Sequence, residues 1–98
     1  MAGGTGGPGD RRTAGAMRVT VVSPEQVLYE GDASAVVVPA YDGKVGILPR
    51  HAPFMSLLGE GDLVVRQGGE ARRFGVSGGF VQVVNNAVRV VAEKATAR

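Results

Sequence analysis

Residues 80–93 read Phe-Val-Gln-Val-Val-Asn-Asn-Ala-Val-Arg-Val-Val-Ala-Glu, and they are the clearest indication of the class of fold that this chain adopts. After the two asparagines, apolar side chains alternate with Arg89 and Glu93, which is the period of a strand with one wet face and one dry face. Asn85 and Asn86 interrupt the β-branched residues with turn-forming chemistry. The stretch therefore predicts two strands on either side of a turn.

Short valine-rich runs of the same kind continue on both sides of this stretch, and Gly, Pro, Asp and Asn separate them. No window beyond residue 17 has an apolar repeat at helical spacing, so we expect at most one helical turn, over residues 53–57. This regular alternation of strand and turn is typical of an all-β sandwich or barrel. The predicted strands cover residues 18–23, 27–30, 33–39, 44–48, 63–67, 71–76, 80–84 and 88–93. The predicted turns lie at residues 23–25, 30–32, 42–43, 59–62, 68–69, 78–79 and 85–86.

Size and composition exclude several classes of protein. The chain has 98 residues and no cysteine, so it can build no disulfide and no thiolate metal site, and its one histidine cannot complete a zinc site. The formal charge is only +2 and the basic residues are interspersed with acids, which argues against a nucleic-acid partner. The longest apolar run, residues 36–41, is far shorter than the roughly 20 residues that a membrane span needs. We expect a small cytosolic or peripheral domain without a metal ion or other cofactor.

Residues 1–16 are rich in glycine and have no large apolar side chain beyond the initial methionine. Burial cannot offset the ordering entropy of such a segment, so we predict a flexible tail, with the functional chain beginning at Met17. A Gly-x-Gly-x-x-Gly pattern occurs at residues 4–9, but no strand precedes it, so it reflects the composition of the tail and not a nucleotide site. We expect the domain to span residues 17–94, followed by a short tail over residues 95–98.

Residues 75–79 match the Gly-x-Ser-x-Gly pattern of a nucleophile elbow around Ser77. An elbow needs a strand-to-helix turn and a histidine later in the chain, whereas His51 comes earlier. His51, Asp62 and Ser77 occur in the order of another familiar catalytic triad. However, the chain is too short to build an oxyanion hole and a substrate pocket as well. We favour the alternative, in which these glycines permit a tight turn or a bulge where strands pass closely.

Residues 41–54 are the most informative segment, because they contain a turn, a short apolar strand and a loop that two prolines stiffen around Arg50 and His51. A rigid loop presents side chains at a low entropic cost, which suits a contact surface. In the alternative interpretation, the prolines end strands and His51 is a hydrogen-bonded structural residue. The spacing alone leaves both interpretations open.

Four segments carry a family resemblance: Val-Ser-Pro-Glu at residues 22–25, Leu-Tyr-Glu-Gly at 28–31, Gly-Lys-Val-Gly-Ile-Leu-Pro-Arg-His-Ala-Pro at 43–53 and Val-Ser-Gly-Gly-Phe-Val-Gln-Val at 76–83. Together they resemble the N-terminal β-sandwich of the epsilon subunit of rotary F-type ATP synthases, which is called delta in mitochondria. The motifs keep their order and spacing over residues 17–94, so the resemblance is specific where any single motif would be weak.

The resemblance implies a flattened β-sandwich of two five-stranded sheets in a non-catalytic rotor subunit. Such a subunit sits in the central stalk, where it joins the gamma subunit to the polar loops of the c-ring and couples proton-driven rotation to ATP synthesis. The resemblance also implies a peripheral location on the cytoplasmic side of the inner membrane of a bacterium, with no cofactor.

Carried over residue by residue, the resemblance implies two groups of contact residues. The c-ring group is Tyr41, Asp42, Gly43 and Lys44, and the gamma group is Ser23, His51 and Ser56. Many relatives have an acidic residue where this chain has Lys44, so the charge pairing with the ring either rests on Asp42 or is reversed in the partner.

Family members usually continue into a two-helix hairpin that binds ATP or blocks rotation, whereas this chain stops at Arg98. We therefore expect a short form with no C-terminal helical domain and no ATP binding, which couples and assembles but does not inhibit hydrolysis. Two other classes stay as alternatives. One is a stand-alone β-sandwich adaptor whose proline-rich loop grips another protein, and the other is a small hydrolase that uses Ser77.

Overall fold

The computed structural model describes residues 16–98, and these residues form eight β-strands and no helix. The prediction of an all-β chain is therefore confirmed. Apart from Ala16, the predicted glycine-rich tail lies outside the described residues, as does the nucleotide-like pattern at residues 4–9. The strands are β1 (Met17–Val22), β2 (Val27–Ala33), β3 (Ala35–Ala40), β4 (Gly43–Ile47), β5 (Phe54–Leu57), β6 (Glu60–Gln67), β7 (Glu70–Val84) and β8 (Ala87–Ala97).

Hydrogen bonds join the strands in the order β2-β1-β8-β7-β6-β3-β4, and β5 pairs with β7 beside this path. Strands β1 and β8 run parallel, and the other paired strands are antiparallel. The first half of β7 pairs with β6 and its second half with β5, so the long strands β7 and β8 take part in both layers of a folded-over sheet. The predicted division into two five-stranded sheets stays a prediction, because these two strands keep the hydrogen bonding continuous.

Strand β7 passes from one layer to the other at Gly78 and Gly79. Both residues have a left-handed backbone, with φ angles of 73° and 99°. A Cβ atom on Gly79 would collide with the backbone oxygen of Val91 and would lie 2.9 Å from the Cα atom of Ala92. Only glycine fits this crossing. The predicted turn at residues 78–79 is therefore wrong, and the close approach of strands that we favoured for these glycines is present instead.

Valine dominates the core between the two layers. Inward and outward side chains alternate along the strands, because the pleat has a period of two residues. Tyr29 of β2 packs edge-on against Phe74 of β7, with ring centroids 6.3 Å apart, and so links the layers at one end. The large side chains that are fully buried are Met17, Val19, Val21, Val36, Val38, Ile47, Leu63, Val65, Val81, Val83, Val88 and Val90.

Pro53 precedes a strand and not the helical turn that we predicted over residues 53–57. Strand β5 pairs with residues 80–83 of β7, and its side chains alternate between half-buried and exposed. A run of four residues is too short to show this period in the sequence. The helical turn is therefore an error, and long-range pairing with β7 is what makes the segment a strand.

Three further boundaries differ from the predictions. The predicted turn at residues 30–32 lies inside β2, and most of the one at residues 59–62 lies inside β6, because the glycines there pair with a neighbouring strand. Strand β8 continues to Ala97, which pairs with Phe74. Residues 95–97 therefore belong to the last strand and not to a tail.

Candidate docking surface

One outer face of the sheet carries a row of apolar side chains that crosses five neighbouring strands from β2 to β5. Each member is the direct neighbour of the next in the strand register. The row consists of Val27, Val22, Val91, Phe80 and Leu57. The two end residues, Val27 and Leu57, are 61% and 62% exposed, and the three between them are half-buried. A contiguous apolar row on an outer face is a candidate docking surface.

An open hollow of about 440 Å³ lies at the β5 end of this row. Its walls are formed by Tyr41, Met55, Ser56, Leu57 and Phe80. The backbone amide of Tyr41 donates to the carbonyl of Leu57 at 3.0 Å, which ties the β3–β4 turn to β5. The Tyr41 side chain is 69% exposed, so the hollow offers aromatic and aliphatic surface to solvent. The row and the hollow together are called the apolar face below.

The turn between β3 and β4 projects residues 41–44, and all four are exposed. Gly43 pairs with Ala40 across the hairpin and has a φ angle of 137°, which a residue with a side chain would rarely adopt. Within residues 16–98, neither Asp42 nor Lys44 takes part in an ion pair. Both charges are therefore open to a partner.

The loop over residues 48–53 leads from β4 into β5. The His51 amide donates to the carbonyl of Leu48 at 3.1 Å, so the loop turns back on itself. The His51 ring donates through Nδ1 to the carbonyl of Ala52 at 2.8 Å and stands edge-on to the ring of Phe54, with centroids 5.9 Å apart. His51 is thus hydrogen-bonded within its loop, as the second interpretation expects, and the same loop exposes the side chain of Leu48.

Ser23 and Ser56 are each next in sequence to a member of the apolar row. Ser23 follows Val22, and its Oγ donates to the carboxylate of Glu25 at 3.3 Å. Ser56 precedes Leu57 and donates to the carbonyl of that residue at 3.2 Å. Both hydroxyls have acceptors in their own segments, so the apolar neighbours are the stronger candidates for contact with a partner.

The structure regroups the predicted contact residues. Tyr41 belongs to the predicted c-ring group and Ser56 to the gamma group, yet both line the same hollow. The structure also adds Met55 and Leu57, whose side chains are mostly exposed. Both lie in the segment for which we predicted a helical turn, whereas an alternating strand sets both side chains on the outer face.

The geometry does not assemble the hydrolase triad. Ser77 lies in the middle of β7, with no strand-to-helix turn after it. The carboxylate of Asp62 pairs with Arg98 at 3.0 Å, and the His51 ring is engaged within its own loop. Within the described residues, no hydrogen bond joins Ser77 to His51 or Asp62.

From residue 16 to residue 98, no three His, Cys, Asp or Glu side chains gather into a group that could hold a metal ion. The same part of the chain contains no helix that is long and apolar enough to cross a membrane.

Two curated relatives are similar in sequence to about four fifths of this chain. An ATP synthase epsilon chain from Leptospira borgpetersenii is 42% identical over 77 residues, which are 79% of this chain and 61% of that protein. An ATP synthase epsilon chain from Frankia casuarinae is 44% identical over 80 residues, which are 81% of this chain and 94% of that protein. The chain thus spans about three fifths of the Leptospira relative and nearly all of the Frankia relative.

Two solved structures share the fold at low sequence identity. A chain of the Euglena gracilis mitochondrial ATP synthase matches with a TM-score of 0.79 and 22% identity, over 85% of this chain and 54% of that one. A chain of the Tetrahymena thermophila mitochondrial ATP synthase, from its central stalk and c-ring, matches with a TM-score of 0.69 and 20% identity, over 82% and 65%.

The family match covers the whole described part of the chain. The model of the family described as "ATP synthase, Delta/Epsilon chain, beta-sandwich domain" matches residues 16–98, which include all eight strands. The prediction of a β-sandwich is therefore confirmed. This chain belongs to the family of ATP synthase delta and epsilon chains, through their β-sandwich domain.

Proposed function

We propose that this chain is a non-catalytic rotor subunit of a proton-transporting ATP synthase. It joins the gamma subunit to the c-ring and so couples ion-driven rotation to ATP synthesis. Membership of the delta/epsilon family supports this role, and one structural observation carries it: a valine-cored slab exposes a continuous apolar row on one outer face. A β-sandwich with a close-packed apolar core can transmit torque between its partners, because close-packed interiors deform little.

The apolar face is the proposed contact with the gamma subunit. Association removes its exposed side chains from water, which is the main favourable contribution to most protein–protein contacts. Two residues of the predicted gamma group, Ser23 and Ser56, are next in sequence to Val22 and Leu57 of the row. The third, His51, lies in the loop that leads into β5 and is proposed as a separate contact beside β5.

The turn at residues 41–44 is the proposed contact with the polar loops of the c-ring. It is exposed and carries Asp42 and Lys44, whose charges suit recognition of polar loops. Because Tyr41 also lines the hollow, the two proposed contacts adjoin at the β5 end of the apolar face. The subunit would then be a peripheral protein on the cytoplasmic side of the inner membrane of a bacterium.

Deletion and complementation test this function. In a strain that lacks the chain, we expect less gamma subunit to co-purify with the c-ring, together with a loss of ATP-driven proton pumping in membrane vesicles. Expression of the wild-type chain should restore both. Unchanged pumping and unchanged co-purification in the deletion strain would contradict the proposal and would favour the stand-alone adaptor.

A further inference from the structure

Asn86, in the β7–β8 turn, links the loop of residues 48–53 to a distant part of the chain. Its side-chain Oδ1 accepts a hydrogen bond from the backbone amide of Arg50 at 2.5 Å, across 36 residues of sequence. The hydrogen bonds of His51, by contrast, end on Leu48 and Ala52 inside the loop. Local bonds can shape a loop, but a bond to the body of the domain is needed to orient it.

The Arg50 backbone needs such support. Its φ angle is 68°, in the left-handed region that disfavours every residue with a Cβ atom other than Asn and Asp. A residue keeps this conformation only where its surroundings hold it there. The amide that donates to Asn86 belongs to Arg50 itself, so the hydrogen bond directly stabilises the residue with the strained backbone.

Asn86 is itself held firmly. Its backbone carbonyl accepts a hydrogen bond from the Arg18 amide at 2.9 Å, which anchors the turn to β1. Its φ angle is 62° and that of Asn85 is 51°, the pair of left-handed residues that a tight hairpin requires. Glycine also adopts the left-handed backbone of this turn. The turn conformation alone therefore does not explain why residue 86 is an asparagine.

We propose that Asn86 is a positioning residue for docking, which holds the loop of residues 48–53 in the shape that the gamma subunit recognises. The side chain contacts the loop and not the partner, and it acts through the backbone of Arg50. This inference rests on the proposed function, since it takes the loop that carries His51 as part of the gamma contact.

Three variants of the full chain isolate the hydrogen bond. Asn86→Gly removes the acceptor and keeps a residue that suits the left-handed turn, so the domain should fold. Asn86→Asp keeps a side-chain oxygen at the same place. Asn85→Gly is the matched control, because it changes the neighbouring turn residue, whose side chain makes no hydrogen bond within residues 16–98.

The exchange rate of the Arg50 amide hydrogen, measured by NMR, tests the hydrogen bond directly. We expect the Arg50 amide to exchange about tenfold faster in Asn86→Gly, and at the wild-type rate in the other two variants. The Arg18 amide is the internal reference, because it binds the backbone carbonyl of residue 86 and should be unchanged in every variant. Wild-type exchange of the Arg50 amide in Asn86→Gly would overturn the inference.

The rate of dissociation from purified gamma subunit tests whether the loop conformation affects docking. We expect Asn86→Gly to dissociate from gamma roughly threefold to tenfold faster, while Asn86→Asp and Asn85→Gly behave as wild type. Faster amide exchange without faster dissociation would overturn the role of the loop in docking. A wild-type chain that does not bind gamma would overturn the proposed function instead, and the exchange measurement would still test whether Asn86 holds the loop.

Discussion

The guanidinium group of Arg98 lies over Gly75 of β7 and pairs with Asp62 of β6, with 3.0 Å between its Nε and the Oδ1 of the carboxylate. The Arg98 backbone amide also donates to the carbonyl of Arg73 at 2.9 Å. Gly75 leaves room for this arrangement, because a Cβ atom there would collide with the guanidinium group. The end of β8 is thus fastened across β7 by one side-chain contact and one backbone contact.

We expect Gly75→Ala to displace the Arg98 side chain and break its ion pair with Asp62. The two charged side chains are 57% and 43% exposed, so the free energy of unfolding should fall by less than about 1 kcal/mol. Asp62→Asn should have a similar effect, and the double variant should be little worse than either single one, because both changes remove the same pair. Urea denaturation measures all three, and a loss above about 2 kcal/mol in Gly75→Ala would contradict this explanation.

Gly79→Ala should destabilise the domain strongly. The substitution forces a Cβ atom against the backbone of β8 at a φ angle of 99°, so we expect the free energy of unfolding to fall by more than about 2 kcal/mol. Gly69→Ala is the matched control, since the added methyl group would have no atom within 4 Å apart from those of residue 69 and its two chain neighbours. Thermal denaturation of both variants tests the claim, which fails if they unfold at the same temperature.

Leu57 and Leu63 separate docking from folding. Leu63→Ala empties a fully buried site and should cost about 2–5 kcal/mol of stability. Leu57 is exposed, so Leu57→Ala should change stability by less than about 0.5 kcal/mol and yet weaken binding to the gamma subunit by roughly tenfold. Denaturation and calorimetric titration together provide the test. If Leu57→Ala bound the gamma subunit with wild-type affinity, the proposal that the apolar face contacts gamma would be wrong.

Lys44→Glu tests the turn that we assign to the c-ring. Within the described residues Lys44 has no acidic partner, so reversing its charge should leave stability unchanged and alter only intermolecular contacts. We expect weaker retention of the chain on c-ring preparations, with an effect that shrinks as salt screens the contact. Lys94→Glu, an exposed reversal on β8, is the control. Equal retention of the two variants would exclude Lys44 from the contact.

Arg50→Gly should stabilise the domain. The left-handed backbone costs a residue with a Cβ atom about 1–2 kcal/mol, and the greater chain entropy of glycine returns about half of that. The net gain in the free energy of unfolding should therefore be roughly 0.5–1 kcal/mol, as measured by urea denaturation. A loss of stability would show that the Arg50 side chain contributes contacts of its own to the fold.

Local chemistry was enough to predict the strands that bury one face. The alternation after Asn86 and the valine-rich runs predict most of β1, β3 and β4, both halves of β7 and the first half of β8, because the two-residue period of a strand is visible wherever one face is dry. The prediction was wrong at β5, because its four residues are too few to show a period. It was also wrong at Gly78 and Gly79, because glycine is equally typical of a turn and of a close crossing of strands.

Residue identity and order were sufficient for the all-β class and for membership of the delta/epsilon family, because period, turn chemistry and motif spacing are properties of neighbours along the chain. The apolar row from Val27 to Leu57 is a property of strand pairing. Its five members come from separate strands, and they become neighbours only when the register of each pair is set. The reach of Asn86 to Arg50 likewise exists only after two distant turns meet in the folded domain.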